Sequence, residues 1–334
     1  MLSNRFLRRL FVSAAPKVAL SISGSAVAAV QIDWNKAMPV LGGYGHAHLE
    51  EDAVTPMANG GKVVEVGSLS ETIRAVMGQL TVAPSRIALI LPDIAGKVSF
   101  VRLANVPSRK TDLEELLRWK IGESIPYPVE DAQIAYSGGV AGVDGTREFV
   151  VSAVKREVVG EYEKEWIEAG LNPGYVGLAT FYVINTIAAA SLSDLRTANE
   201  IRDADWMLVN NASDNVSVAI IRKGQLIFFR SLTASSVTRL SDVVHQACMY
   251  YNDRMSGDSL TRAYLVNSMA INEDVGRTAD DELVGLESTS VHVELLAARL
   301  KKRFCGSMEI TTSLFEQLLA PLGVLVAAKQ LTHA

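Results

Sequence analysis

Few residues in this 334-residue chain are spaced for chemistry. The clearest is the run His46-Ala47-His48, followed by Glu50, Glu51 and Asp52. On a strand, side chains at i and i+2 share a face, so two imidazoles and nearby carboxylates suggest a metal site. No third, distant His is placed to join them, and the plainer reading is an exposed hairpin with polar decoration. Two polar turns also stand out, Ser21-Ile22-Ser23-Gly24-Ser25 and Asn210-Asn211-Ala212-Ser213, each between apolar runs. Turns of Ser, Asn and Gly are common in any α/β protein and by themselves suggest no ligand. No Ser/His/Asp arrangement, G-x-S-x-G or Walker A sequence occurs. Cys248 and Cys305 form no C-x-x-C pair and read as reduced core thiols, so a zinc site is unsupported. The residues therefore name no catalytic group and no metal ligand set.

The elements that would position these turns follow from hydrophobic period. Val18 to Ile22 and Ala26 to Ile32 read as strand, small-residue turn, strand. Met207-Leu208-Val209 and Val216 to Ile221 repeat that unit, with Lys223-Gly224 as the next hairpin turn. Two such units predict two related halves, with a polar linker near 193–205. The domains expected are a basic segment 1–17, a first half 18–195 with an inserted subdomain at about 86–170, and a second half 205–334. Thr111 and Glu114 fit a capping box that starts a helix, Leu113, Leu117 and Ile121 share its face, and Pro126 and Pro128 end it. Val158, Tyr162 and Trp166 share another helix face, stopped by Gly170. Gly174 to Leu192 is uncharged, but Thr180, Asn185 and Thr186 make it a helix buried between the halves rather than a membrane span. Helices run from Val237 to about Met255 and from Leu314 to Ala328. Strands interleaved with helices give an α/β class.

Charge excludes one large class of partners. The net charge of -5 argues against nucleic acid, which needs a basic face. The first residues are the exception, with Arg5, Arg8 and Arg9 between Leu2, Phe6, Leu10 and Phe11. Their apolar run is too short for a signal peptide. The segment is either an amphipathic element resting on an anionic membrane or a frayed end.

The order of several short motifs resembles a known family. Leu91-Pro92-Asp93, the helix Leu113 to Glu123 with its exit Ile125-Pro126-Tyr127-Pro128, Ala169-Gly170-Leu171-Asn172-Pro173, Tyr250-Tyr251 and Ala320-Pro321-Leu322-Gly323 match in sequence and spacing. The chain is similar to the PilM family, actin-like cytoplasmic proteins of type IV pilus assembly that are related to FtsA. The resemblance implies the actin/Hsp70-like two-domain fold with an inserted FtsA/PilM-type subdomain. It also implies an ATP/Mg²⁺ site on three loops, in which this chain departs from the family pattern. Ser21 and Ser23 stand at the Asp and Gly positions of the first loop, which continues through Gly24 and Ser25, and Ala28 stands at its Lys. Asn210 and Ala212, followed by Ser213, replace the Asp and Gly of the second. Asn267, Ser268 and Met269 replace the glycines of the third. A Cβ blocks the close backbone approach that those glycines provide.

The resemblance therefore implies a non-enzymatic scaffold of a type IV pilus or related secretion platform, with no likely cofactor. It would be cytoplasmic and peripheral on the inner membrane, holding the cytoplasmic tail of a PilN-like bitopic membrane protein. Self-association and contact with anionic membrane are further expectations. The inserted subdomain is the expected binding region, with Leu117, Ile121 and Tyr127 as candidate contacts. The rival readings are an active nucleotide-binding ATPase and a filament-forming protein of the same fold.

Overall fold

The computed structural model describes residues 16–332 apart from 36–37, 51–53, 55–65, 138–139, 192–204, 269–291 and a few single positions. The basic N-terminal run, the linker expected around 193–205, Glu51, Asp52 and Met269 fall outside, or almost wholly outside, the described residues.

Each half is built on a mixed five-stranded sheet of the same plan. In the first, β1 (Val18–Ile22), β2 (Ala26–Asn35) and β3 (Met38–His48) form an antiparallel meander. β4 (Arg86–Leu91) and β9 (Asn172–Leu178) then add in parallel, giving the order β3-β2-β1-β4-β9. In the second, β10 (Trp206–Asn211), β11 (Asn215–Arg222) and β12 (Gln225–Thr233) form the meander. β13 (Arg262–Asn267) and β14 (His292–Leu295) complete the order β12-β11-β10-β13-β14. The β11–β12 turn has positive φ at both Lys223 and Gly224, as a tight two-residue hairpin requires.

Central strands β1 and β10 are apolar up to their cleft ends, where Ser21 and Asn210–Asn211 stand, because both of their faces are buried. Val18, Leu20 and Ile22 pack on α1 (Val66–Gly78) and α3 (Arg156–Glu168). Met207 and Val209 pack on α5 (Leu240–Arg254). The opposite faces, with Ala19 on β1 and Trp206 and Leu208 on β10, share one core with α4 (Ala179–Ser191), α6 (Ala297–Phe304) and α7 (Thr312–Thr332). Helices α4 and α7 therefore lie between the two halves and join them through a continuous apolar layer. α4 starts five residues later than the uncharged stretch suggests. Residues 172–178 add to the sheet, and Gly177 lies so close under the Tyr182 ring that a Cβ there would overlap it. Among the described residues, no helix is long and apolar enough to cross a membrane.

Contact between α4 and α7 depends on Gly323, where a Cβ would overlap the Tyr182 carbonyl oxygen. Thr186 Oγ1 donates to the Leu319 carbonyl at 2.8 Å in the same crossing. α3 ends at Gly170, whose φ of 86° is accessible to glycine at little cost.

The inserted subdomain holds β5 (Gly96–Leu103), α2 (Lys110–Ile121), β6 (Ala132–Tyr136), β7 (Val140–Ala141) and β8 (Arg147–Lys155). Its sheet runs β5-β8-β6, with β7 also on β8. Two expectations need correction here. The capping box does not form. The helix begins at Lys110, Arg109 occupies the cap without a side-chain bond, and Thr111 already lies in the first turn. Thr111 Oγ1 turns to Asp112, and Glu114 pairs with Lys110 at 3.1 Å. The second correction concerns Leu117, Ile121 and Tyr127, expected to contact a partner. Leu117 and Ile121 are 0% and 1% exposed and Tyr127 is 9% exposed, all in one core with Phe149 and Val151. The stripe that made them candidates is the stripe that packs the helix onto its own sheet.

Tyr127 gives a sharp stability test. Its hydroxyl is buried with no partner among the described residues, and burial pushes it up to about 12. Removing an unpartnered buried hydroxyl is near neutral, whereas removing the ring leaves a cavity. Thermal melts should show Tyr127→Phe within about 0.5 kcal/mol of the parent and Tyr127→Ala lower by about 3–5 kcal/mol. An Ala variant that melts with the parent would return Tyr127 to the surface.

Candidate functional site

The two meander turns meet at a cleft between the halves. Ser21 and Ser23 line it from the β1–β2 turn, Asn210, Ala212 and Asp214 from the β10–β11 turn, and Ser268 from the end of β13. Glu316 and Gln317 line it from α7. Its space is about 50 Å³, room for a few water-sized groups. The polar turns singled out in the sequence thus converge, although they are some 190 residues apart.

Behind the cleft lies a carboxylate that residue spacing does not reveal. Asp93 follows β4 and is 1% exposed. It accepts from the Thr180 amide at 3.0 Å, the Thr180 hydroxyl at 2.5 Å and the Ser217 hydroxyl at 2.8 Å. Thr180 belongs to the first half and Ser217 to the second, so this carboxylate bonds across the junction. Burial pushes its pKa up, and the bonds from Thr180 and Ser217 pull it back down. Asn210 Nδ2 donates to Thr180 Oγ1 at 3.0 Å. Asn215 Nδ2 donates to Ser217 Oγ at 2.8 Å. The Thr180 hydroxyl has one hydrogen and spends it on Asp93, so toward Asn210 it can only accept. That fixes the Asn210 amide with Nδ2 toward Thr180, leaving Oδ1 buried without a partner among the described residues.

The turns also bond to each other directly. The Gly24 amide donates to Asp214 Oδ2 at 3.1 Å. Asp214 Oδ1 is buried and has no partner among the described residues, as are Ser25 Oγ and Ser213 Oγ beside this contact. Burial pushes the Asp214 carboxyl up to about 6, its bond from Gly24 opposing the shift and the charge of Asp93 adding to it. Tyr162 on α3 is raised too, first by burial and then by the Asp214 charge. The third turn is tied to the second, with the Ser268 amide donating to the Asn211 carbonyl at 2.8 Å and Asn211 Nδ2 to Asn267 Oδ1 at 3.2 Å. The Asn267 amide donates to Glu316 Oε1 at 3.2 Å.

His46 and His48 come together without a further metal ligand among the described residues, Glu51 and Asp52 lying outside them. His46 Nε2 is 2.7 Å from Gln317 Oε1 and its ring lies 4.8 Å from His48. Burial, and secondarily the His48 charge, lower the His46 pKa against the Gln317 bond. Among the described residues, no three His, Cys, Asp or Glu side chains come together to hold a metal ion. Cys305 is buried and its thiol is pushed up to about 11, while Cys248 is partly buried.

Asp214 sets a pH dependence whose sign follows from its shift. The folded carboxyl binds its proton up to about pH 6, against an ordinary value of 3.8. Its contribution to stability is full below that ordinary value and is lost as pH rises through about 6. The loss is on the order of 2–3 kcal/mol at neutral pH. Asp214→Asn keeps an acceptor for Gly24 and removes the charge. In melts between pH 4.5 and 7.5 it should gain on the parent as pH rises, with little difference at the acid end. Parallel curves for the two proteins would show that the carboxylate is not buried in solution.

Comparison with known proteins agrees with this architecture. A model of the family described as type IV pilus assembly protein PilM matches residues 19–241, about two thirds of the chain. Among solved structures, one described as the PilM-PilN type IV pilus biogenesis complex is similar at a TM-score of 0.73 and 15% identity. That match covers 95% of this chain and 99% of the other. The cytoplasmic domain of EpsL, an inner membrane component of the type II secretion system of Vibrio cholerae, is more distant, at TM-score 0.49 and 12% identity over 91% of this chain and 93% of its own. A search of curated proteins finds no match. The paired sheets, the inserted subdomain and the family match over two thirds of the sequence lead to one conclusion: the chain belongs to the type IV pilus assembly protein PilM family.

Proposed function

We propose that this chain is a non-enzymatic scaffold of a type IV pilus assembly platform, working at the cytoplasmic face of the inner membrane. The observation that carries the non-enzymatic part is the Gly24–Asp214 bond. In this fold the first turn would offer its amides to a phosphate, and here that amide already holds a carboxylate of the opposite turn. A phosphate arriving at the cleft would meet Asp214 and Glu316, and none of the described residues lining the cleft is Lys or Arg. Like charges in a confined, poorly solvated space repel strongly. The residues present therefore do not fit Mg-ATP, and no hydrolytic step is assigned to them.

The partner reading rests on the family and on the solved PilM-PilN complex. A PilN-like membrane protein would offer a cytoplasmic segment to the inserted subdomain. Because Leu117, Ile121 and Tyr127 are buried, the contact falls to the exposed side of α2, where Trp119 is 70% exposed. A rigid exposed aromatic is the kind of side chain on which interfaces concentrate their energy. Self-association and membrane contact through the basic N-terminus belong to the same proposal.

Two measurements test it. Calorimetry with Mg-ATP should give no binding tighter than about 10 μM, roughly -7 kcal/mol, and a tighter constant would overturn the non-enzymatic reading. Capture by the cytoplasmic segment of a PilN-like protein should weaken in Trp119→Ala by about 1 kcal/mol or more. The melting curve should move by no more than about 0.5 kcal/mol, since the ring is on the surface. Unchanged capture would remove α2 from the interface.

A further inference from the structure

We propose that the end of the first half lying opposite the cleft rests on an anionic lipid bilayer. Strand direction builds this end. β1, β4 and β9 are parallel and all run toward the cleft, so their first residues gather at the far end. Ala19 pairs with Ala88, which sets Lys17 level with Arg86, and Arg86 pairs with Asn172. Lys17 and Arg86 are both exposed. α3 reaches the same end, since a short turn through Gly170 joins it to β9. Arg74 on α1 is tied there, its Nη2 donating to the Glu168 carbonyl at 2.7 Å. Next to Glu168 stands Ile167, 60% exposed.

Acids at this end are Glu168, paired with Lys164 at 3.8 Å, and Asp33, whose carboxylate lies against Gly42 on β3. Glu71 and Glu163 stand about one turn back from Arg74 and Ile167. The chain also enters the fold here. Residues 1–15 join β1 through Pro16 and Lys17, and they bring Arg5, Arg8 and Arg9 with no acid. In a chain of net charge -5, one end thus collects positive charge. Cations alone would also suit a nucleic acid, and the exposed aliphatic side chain decides between the two. A phosphate backbone offers Ile167 nothing, whereas a bilayer takes it in among headgroups that meet the cations. The proposal rests on the reading of the chain as working at the inner membrane, and it assigns a folded face to that contact beside the N-terminal segment.

Vesicle sedimentation of the full chain tests it, with phosphatidylcholine vesicles that contain or lack phosphatidylglycerol. Binding should need phosphatidylglycerol and weaken as salt is raised. Lys17→Gln combined with Arg86→Gln should weaken it by about tenfold or more, and Ile167→Ser by about threefold or more at unchanged charge. Thermal melts of these surface variants should match the parent. A further variant, with Arg5, Arg8 and Arg9 changed to Gln, separates the face from the segment. If it loses all binding while the face variants bind like the parent, the face proposal is overturned and the N-terminal contact stands. No binding by the parent overturns membrane contact of both kinds, and leaves the nucleotide and partner tests above to decide the scaffold reading. A duplex DNA oligonucleotide bound in place of the vesicles, and bound equally by Ile167→Ser, assigns the cations to nucleic acid and overturns the proposal.

Discussion

Asp93 carries the constraint on which the junction depends. A carboxylate with 1% exposure is costly to bury unless donors surround it. Its donors come from Thr180, at the start of α4, and Ser217, on β11. Satisfying one side chain therefore requires the end of β4, the start of α4 and the middle of β11 to meet. The apolar layer of α4 and α7 brings the halves together, but apolar contact is non-directional and tolerates sliding. Hydrogen bonds to a buried carboxyl group do not, because a shift of an ångström leaves it unpaired. The register between the halves, and with it the meeting of the two turns, is set by this polar joint inside an apolar sandwich.

Much of the fold is legible in the sequence for a plain reason. Central strands buried on both faces are apolar runs, and helices laid on a sheet show 3.6-residue stripes. β1, β10, the stripe of Val158, Tyr162 and Trp166, and the Lys223-Gly224 turn all follow from such local patterns. The errors come from patterns that fit two structures. Leu113, Leu117 and Ile121 make an apolar stripe, and a stripe does not say whether a sheet or another protein covers it. The capping box failed by two positions, because Arg109 already takes the cap and Arg109 Nε bonds Asp112 at 2.9 Å.

The site is less legible because its chemistry is made by long-range pairing. Asp93 meets Ser217 across 124 residues and Gly24 meets Asp214 across 190. Nothing near Asp214 in sequence marks it, since Asn210 to Asn215 reads as an ordinary polar turn. The loss of family residues at Ser21, Ser23, Asn210 and Ala212 could be noticed by resemblance. Their replacement by an internal acceptor could not. The weak signal for Asp93 was its place two residues after the buried apolar run Ile87 to Leu91, where an acid must either leave the core at once or find partners inside it.

The internal bond also changes what the two turns are for. In a ligand-bridged cleft, closure is linked to ligand concentration, because only the bound form has its amides satisfied. When a carboxylate of one turn satisfies the amide of the other, closure no longer needs a phosphate and the halves hold a fixed relation by default. The bond leaves a residue, however. Asp214 Oδ1 is buried without a geometric hydrogen bond among the described residues, and no Lys or Arg is among the described residues lining the cleft.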